Sequence, residues 1–189
     1  MARAFIAIGS NINSAENVRA AIQRLARQTR LSAISMVYRS GALGRPEQPP
    51  YYNCVVEIET DAPPAEVKYG MLRRIEEDLG RRRTNDKYAA RTIDLDLIVY
   101  GDLALDTPDL KLPDPEILER PFLAIPLFEL APELVLPGYG RRIGEIAARL
   151  ARDGMQPLQD YAALLRKDVV SADYTGQASA HSASPPEYI

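Results

Sequence analysis

The order in which strand-like and helix-like periodicity alternate over residues 4–100 is what most constrains this chain. Residues 4–8 (Ala4-Phe5-Ile6-Ala7-Ile8) read as a strand closed by Gly9-Ser10-Asn11. After Ser14, a residue type favoured at helix N-caps, Val18, Ile22, Leu25 and Ala26 recur at helical spacing to about Thr29. Residues 31–39 alternate as a strand, residues 40–50 are rich in turn formers, and residues 52–60 alternate again. Asp61-Ala62-Pro63-Pro64 opens a helix with Val67, Met71, Leu72, Ile75 and Leu79 on one stripe, and Gly80 ends it. Ile93 to Tyr100 is the clearest strand of all. This β-α-β-β-α-β order predicts an α+β fold: a ferredoxin-like sandwich, its antiparallel sheet carrying helices on one face and leaving the other for ligands.

Beyond Gly101 the chain is Pro-rich, with short helical pieces at Pro115–Arg120 and Leu127–Ala131, a helix at Ile143–Ala151, and a further turn or two over residues 158–166. The expected division is a main domain over 1–140, a C-terminal helical extension over 141–166, and a polar tail over 167–189 whose Ser/Ala/Gly composition suggests mobility. The apolar stretch after Met1 is stopped by Gly9, too early for a signal segment or a membrane span. A cytoplasmic location and no membrane partner are expected.

Composition removes several chemistries. The one histidine, His181, stands in the polar tail, and the one cysteine is Cys54. Ser-His-Asp and Cys-His triads, polyhistidine zinc sites, disulfides and cysteine metal clusters are therefore excluded from the body of the domain. A net charge of −3 argues against a whole-protein cationic field for nucleic acid. An RNA-recognition fold shares the element order, but it needs exposed aromatics on its first and third strands. The first strand here offers only Phe5, and residues 52–60 carry Glu57 and Glu59. The partners expected are small molecules.

The chemistry-bearing stretch runs from Gly80 to Leu97. In a strand, residues i and i+2 share a face. Asp94 and Asp96 therefore point one way, while Ile93, Leu95, Leu97 and Val99 are expected to enter the core. Two adjacent carboxylates repel unless a positive charge lies between them. A hard cation answers that need, and Mg²⁺ carrying substrate phosphates fits best. The preceding loop brings Arg81, Arg82, Arg83, Lys87 and Arg91 against a single Asp86, and guanidinium forks suit polyphosphate oxygens. Taken alone, an Asp-x-Asp is as readily a solvated strand face, and an arginine run is more often a surface loop. Their adjacency favours Mg-nucleotide phosphoryl transfer. Neither a P-loop nor a kinase Gly-rich loop is present.

The segment Ala90-Arg91-Thr92-Ile93-Asp94-Leu95-Asp96-Leu97-Ile98 resembles the signature of the 6-hydroxymethyl-7,8-dihydropterin pyrophosphokinases. Other pieces match in order: Ala7-Ile8-Gly9-Ser10-Asn11, Tyr38-Arg39-Ser40, Gln48 through Asn53, and Arg120-Pro121-Phe122 through Pro132. The match spans about residues 3–137. It implies transfer of pyrophosphate from ATP to the hydroxymethyl group of a reduced pterin, releasing AMP, in a monomer or weak homo-oligomer. Two Mg²⁺ ions would sit at Asp94 and Asp96, with Arg81 and Arg91 as the catalytic arginines closing over the phosphates. Tyr51 and Phe122 match the aromatic pair that sandwiches the pterin, Asn53 the amide that reads its edge, and Ser40, Gly41, Ala42 and Leu43 the main chain beside it. The nucleotide side would comprise Arg73, Glu76, Arg83, Lys87, Tyr88, Arg91, Ile98, Lys111, Asp114 and Arg120.

This chain departs from the family pattern at a few places. Tyr88-Ala89-Ala90 replaces the usual Trp-Gly-Pro, which changes the backbone angles open to the loop. Asp114 follows Pro113 where the family has a histidine, and Arg73 stands where glutamine is common. Asp114 is expected to ligate metal or to pair with Lys111 or Arg120. All three changes fall on the nucleotide side. The alternatives are a non-catalytic pterin-binding paralogue and a pyrophosphokinase acting on another reduced pterin.

Overall fold

The computed structural model describes residues 1–178 apart from 85 and 87, and side chains as far as residue 169. Lys87, His181 and the last part of the expected tail lie outside the described residues.

Strand β1 (Ala2–Ser10) is the centre of the molecule. It pairs antiparallel with β4 (Tyr51–Thr60) on one side and β5 (Asp94–Tyr100) on the other. The sheet order is β8-β3-β4-β1-β5, where β3 is Tyr38–Ser40 and β8 is Gln156–Pro157; β2 (Arg30–Ile34) pairs with the other half of β4. The strand expected over 31–39 is thus two. Between them Ser35, almost fully buried, exchanges hydrogen bonds with Val55: its amide donates to Val55 O at 3.0 Å, and its Oγ accepts from Val55 N at 2.9 Å.

Helix α1 (Ser14–Gln28) buries Val18, Ala21, Ile22 and Leu25, the spacing read in the sequence. Helix α2 follows Pro64 in two continuous parts, a π-helical Glu66–Leu72 and an α-helical Arg73–Asp78. These helices and α5 (Gln159–Ala178) bury Ala4, Ile6, Ile8, Leu95 and Leu97 on one face of the sheet. The C-terminal helix passes residue 166 without a break. It is tied down by Tyr161, whose hydroxyl donates to Ala15 O at 2.5 Å, and by Arg19 against Asp168 at 2.6 Å.

The second face is not left wholly to ligands. Helices α3 (Pro121–Leu130) and α4 (Ile143–Arg149) cover its far half over Phe5, Val55, Ile98 and Val99. The reason lies in β1, where Phe5 and Ala7 are as buried as Ile6 and Ile8, so both faces need cover. Helix α3 meets the need because it is apolar all round, with Leu123 through Leu127 buried in succession. A bulge places Ile98 between the residues that pair with Ile6 and Phe5. It turns Val99 onto the same face as Asp96, not into the cluster holding Leu95 and Leu97. Among the described residues no helix is long and apolar enough to cross a membrane.

Candidate active site

Where α3 stops, the second face opens into a cavity of about 600 Å³. Its floor follows from strand register. Gly9 on β1 is paired with Asn53 on β4 and with Asp94 on β5, and one step inward Ala7 is paired with Val55 and Asp96. The two small residues leave room between flanking side chains. A Cβ on Gly9 would stand 3.1 Å from Asn53 Oδ1, so a larger residue here would crowd the amide.

All the residues expected around a pterin line this cavity: Ser40, Gly41, Ala42, Leu43, Tyr51, Asn53 and Phe122. Asn53 is nearly buried, and its Nδ2 donates to Ser40 Oγ at 2.8 Å, which fixes the amide. Burial raises the Tyr51 phenol above its ordinary value, with Arg91 working against the rise. From the expected nucleotide set, Tyr88, Arg91, Ile98, Lys111, Asp114 and Arg120 also line the cavity, as do Asp94 and Asp96.

Four expected residues stand back from it. Arg73 lies over the Tyr69 ring at 4.9 Å. Glu76, 2 % exposed, accepts from Leu95 N at 2.9 Å and takes Arg81 at 3.3 Å and Arg83 at 2.8 Å. Burial raises its carboxyl; the Leu95 amide and the two arginines oppose that. Arg81 is a tie within the structure, since its guanidinium also donates to Ile93 O at 2.6 Å and to Asp94 Oδ1 at 2.5 Å.

The two strand carboxylates differ in their surroundings. Asp94 holds Arg81 on one oxygen and Arg91 on the other. Asp96 opens into the cavity without an ion pair among the described residues. Confinement between the cavity walls, then Asp94, Asp114 and Glu76, push its carboxyl up to about 7, although its surface is accessible. Like charge gathered round an open carboxylate on a strand face fits a divalent cation with oxygen ligands. No group of three or more His, Cys, Asp or Glu side chains among the described residues is placed to hold a metal. A Mg²⁺ ion here would complete its shell from substrate and water oxygens.

Asp114 does not pair with Lys111 or Arg120. Its Oδ1 instead accepts from Glu116 N at 2.8 Å, capping a short 3₁₀ turn over Pro115–Leu118. Lys111 is drawn to Asp106 at 2.9 Å and Arg120 to Glu116 at 3.5 Å. Sequence reading also missed contributors. Gln48, Lys68, Asp109 and Glu116 line the cavity with Gly9 and Ala7. Buried Asn11 holds three segments together. Its Nδ2 donates to Gln48 Oε1 at 3.1 Å and Pro49 O at 3.3 Å, and its Oδ1 accepts from Arg91 N at 2.7 Å. The segments 7–11 and 48–53 carry Ala7, Gly9, Asn11 and Gln48 in the family resemblance, which assigned them no role.

Comparison with known proteins places the chain among relatives. The family model described as 7,8-dihydro-6-hydroxymethylpterin-pyrophosphokinase matches residues 5–132. A 2-amino-4-hydroxy-6-hydroxymethyldihydropteridine pyrophosphokinase of Haemophilus influenzae is 39% identical over 140 residues, covering 72% of this chain and 86% of its own. One of Pseudomonas aeruginosa is 36% identical over 159 residues, covering 82% and 96%. The crystal structure of Plasmodium falciparum HPPK-DHPS superposes with a TM-score of 0.60 at 10% identity, covering 83% of this chain and 47% of that one. That likeness is one of fold, and this chain spans about half of the larger protein. The matched span contains every strand of the cavity floor, and the chain belongs to the 7,8-dihydro-6-hydroxymethylpterin-pyrophosphokinase family.

Proposed function

We propose that this enzyme moves the terminal pyrophosphoryl group of ATP to the hydroxymethyl oxygen of 6-hydroxymethyl-7,8-dihydropterin, giving the pterin diphosphate and AMP on the route to folate. The observation that carries this reading is the row Asn53–Gly9–Asp94 across three hydrogen-bonded strands. An amide able to read a heterocycle edge lies on a strand beside carboxylates able to hold metal-bound phosphates. Positioning of two substrates is the larger part of phosphoryl-transfer catalysis.

Tyr51 and Phe122 offer aromatic faces to a flat pterin ring, and Asn53, set by Ser40, presents its amide to the ring edge. The hydroxyl oxygen bonds to the β-phosphorus as the bond from that phosphorus to the α,β-bridging oxygen breaks; that oxygen leaves with AMP, and the hydroxyl proton passes to water. Asp94 and Asp96 would hold two Mg²⁺ ions, whose chemistry when bound is to neutralise phosphate charge and lower the pKa of the attacking hydroxyl. Arg91 and Arg81 hold Asp94 by one oxygen each and so orient it, and their guanidinium forks match phosphate oxygens.

Within the same reading, the strand order β3-β4-β1-β5 supports a ferredoxin-like core over about residues 1–140. The segment over 141–166 is a helical extension. The enzyme works in the cytoplasm as a monomer or weak homo-oligomer, with no nucleic acid or membrane partner. The test is AMP formation from Mg-ATP and 6-hydroxymethyl-7,8-dihydropterin, with Asp96→Ala as the control. Turnover by the wild type and none by the variant is the expected result. Pterin binding without AMP release by the wild type would instead make the chain a non-catalytic binder.

A further inference from the structure

The cations that line the cavity are Lys68, Arg91, Lys111 and Arg120. Three of them are engaged: Arg91 with Asp94, Lys111 with Asp106 at 2.9 Å, and Arg120 with Glu116 at 3.5 Å. Among the described residues, Lys68 alone of the four has no carboxylate within ion-pair distance. It is half-buried, and its Nζ stands 5.7 Å from the Tyr69 ring centroid.

Backbone geometry explains how a lysine on a helix reaches this place. Lys68 belongs to the π-helical part of α2, where a wider turn shifts the side chains relative to an α-helical stripe. The same turn carries Tyr69, whose hydroxyl donates to Asp109 O and fastens the helix to the turn between β6 (Leu105–Asp106) and β7 (Lys111–Leu112). Lys68, Asp109, Leu110 and Lys111 therefore form one wall. Lys68 and Asp114 line the same cavity, and the charge of Lys68 opposes the rise of the Asp114 carboxyl. Asp114 is the residue that brings an unpaired negative charge into the half of the cavity meant for a polyanion.

We propose that Lys68 is a nucleotide-binding residue of this enzyme, its ammonium contacting the phosphates of the nucleoside triphosphate and offsetting the carboxylate of Asp114. An ammonium on a flexible stem is a compact point charge suited to phosphate oxygens. Its place in the lining of the same cavity as Asp114 lets that cavity tolerate the carboxylate and an anionic donor together. The assignment rests on the pyrophosphokinase reading above and adds a determinant of donor affinity to it.

The experiment compares wild type with Lys68→Met, Lys68→Arg, Asp114→Asn and the Lys68→Met/Asp114→Asn double variant. Steady-state AMP formation is measured with each substrate varied, and Mg-ATP binding by calorimetry. Lys68→Met should raise the KM for Mg-ATP about tenfold, leaving kcat and the pterin KM within about twofold. Lys68→Arg should recover most of the affinity. In the double variant the Lys68→Met defect should shrink, because the opposing carboxylate is gone while asparagine keeps the cap on Glu116 N. Lys68→Met that leaves Mg-ATP affinity within about twofold of wild type, or that weakens both substrates equally, overturns the proposal while turnover stands. A wild type that makes no AMP overturns the pyrophosphokinase reading instead. The calorimetric comparison then still decides Lys68, and a wild type that binds no Mg-ATP removes both.

Discussion

Asp94 and Asp96 stand two residues apart on β5 and occupy opposite electrostatic situations. The first is clasped by two guanidinium groups, and the second faces the open cavity without an ion pair among the described residues, with carboxylates as its strongest charged neighbours. Replacing Asp96 should therefore separate function from stability. Asp96→Asn is expected to lower turnover by roughly a thousandfold or more. The metal-free variant should melt at the same temperature as wild type or higher at pH 8, since a repulsive charge has gone. Thermal melts without added Mg²⁺, set beside the AMP assay, check both halves; a variant that unfolds would show that Asp96 supports the fold. The pair was legible in the sequence because strand alternation fixes which neighbours share a face. The fate of Asp114 was not legible. Its partner is a backbone amide two residues on, not either of the lysine and arginine nearby, and local capping of this kind competes with ion pairs that sequence proximity suggests.

At the scale of elements, β1, α1, β4 and β5 follow their hydrophobic periods, and the structure places them within a few residues of expectation. Helix α3 was read only at its end, as Leu127–Ala131, because an element that is apolar almost all round has no period to read. The bulge at Ile98 escaped too, since an alternating run of apolar residues looks the same with one residue inserted. Helix α3 is joined to β3 by a polar contact between the buried Tyr38 and the exposed Glu129. Tyr38 Oη donates to Glu129 Oε1 at 2.5 Å, and Met36 N donates to the other oxygen at 2.8 Å. Burial first, and then Glu129, push the Tyr38 phenol from 10.0 up to about 12. The folded pKa is raised, so this contribution to stability is complete below pH 10 and is lost as the pH climbs through 12. Tyr38→Phe should cost about 1 kcal/mol near neutral pH and should flatten the alkaline decline, measured as urea midpoints from pH 8 upward. The C-terminal helix offers a second check. Leu165 is 1% exposed, and Leu165→Ala should cost about 2–4 kcal/mol in one cooperative transition, whereas an independently melting tail would leave the midpoint where it was.

For the molecule as a whole, the core and the site are separable. Two apolar clusters lie on opposite faces of the sheet, and neither includes the strand carboxylates. Removing divalent cations with a chelator is expected to stop AMP formation and to shift the melting temperature by only a few degrees, the ordinary linkage of a bound ligand. Loss of folded structure on chelation would mean that metal belongs to the scaffold. The row of Asn53, Gly9 and Asp94 has a consequence at this scale as well. Adjacent strands keep a spacing of about 4.8 Å, so the gap between the Asn53 amide and the Asp94 carboxylate is metered by main-chain hydrogen bonds. Exchanging side chains cannot lengthen or shorten that gauge. Only a slip of one strand against its neighbour could, and such a slip would turn every alternate residue to the wrong side of the sheet.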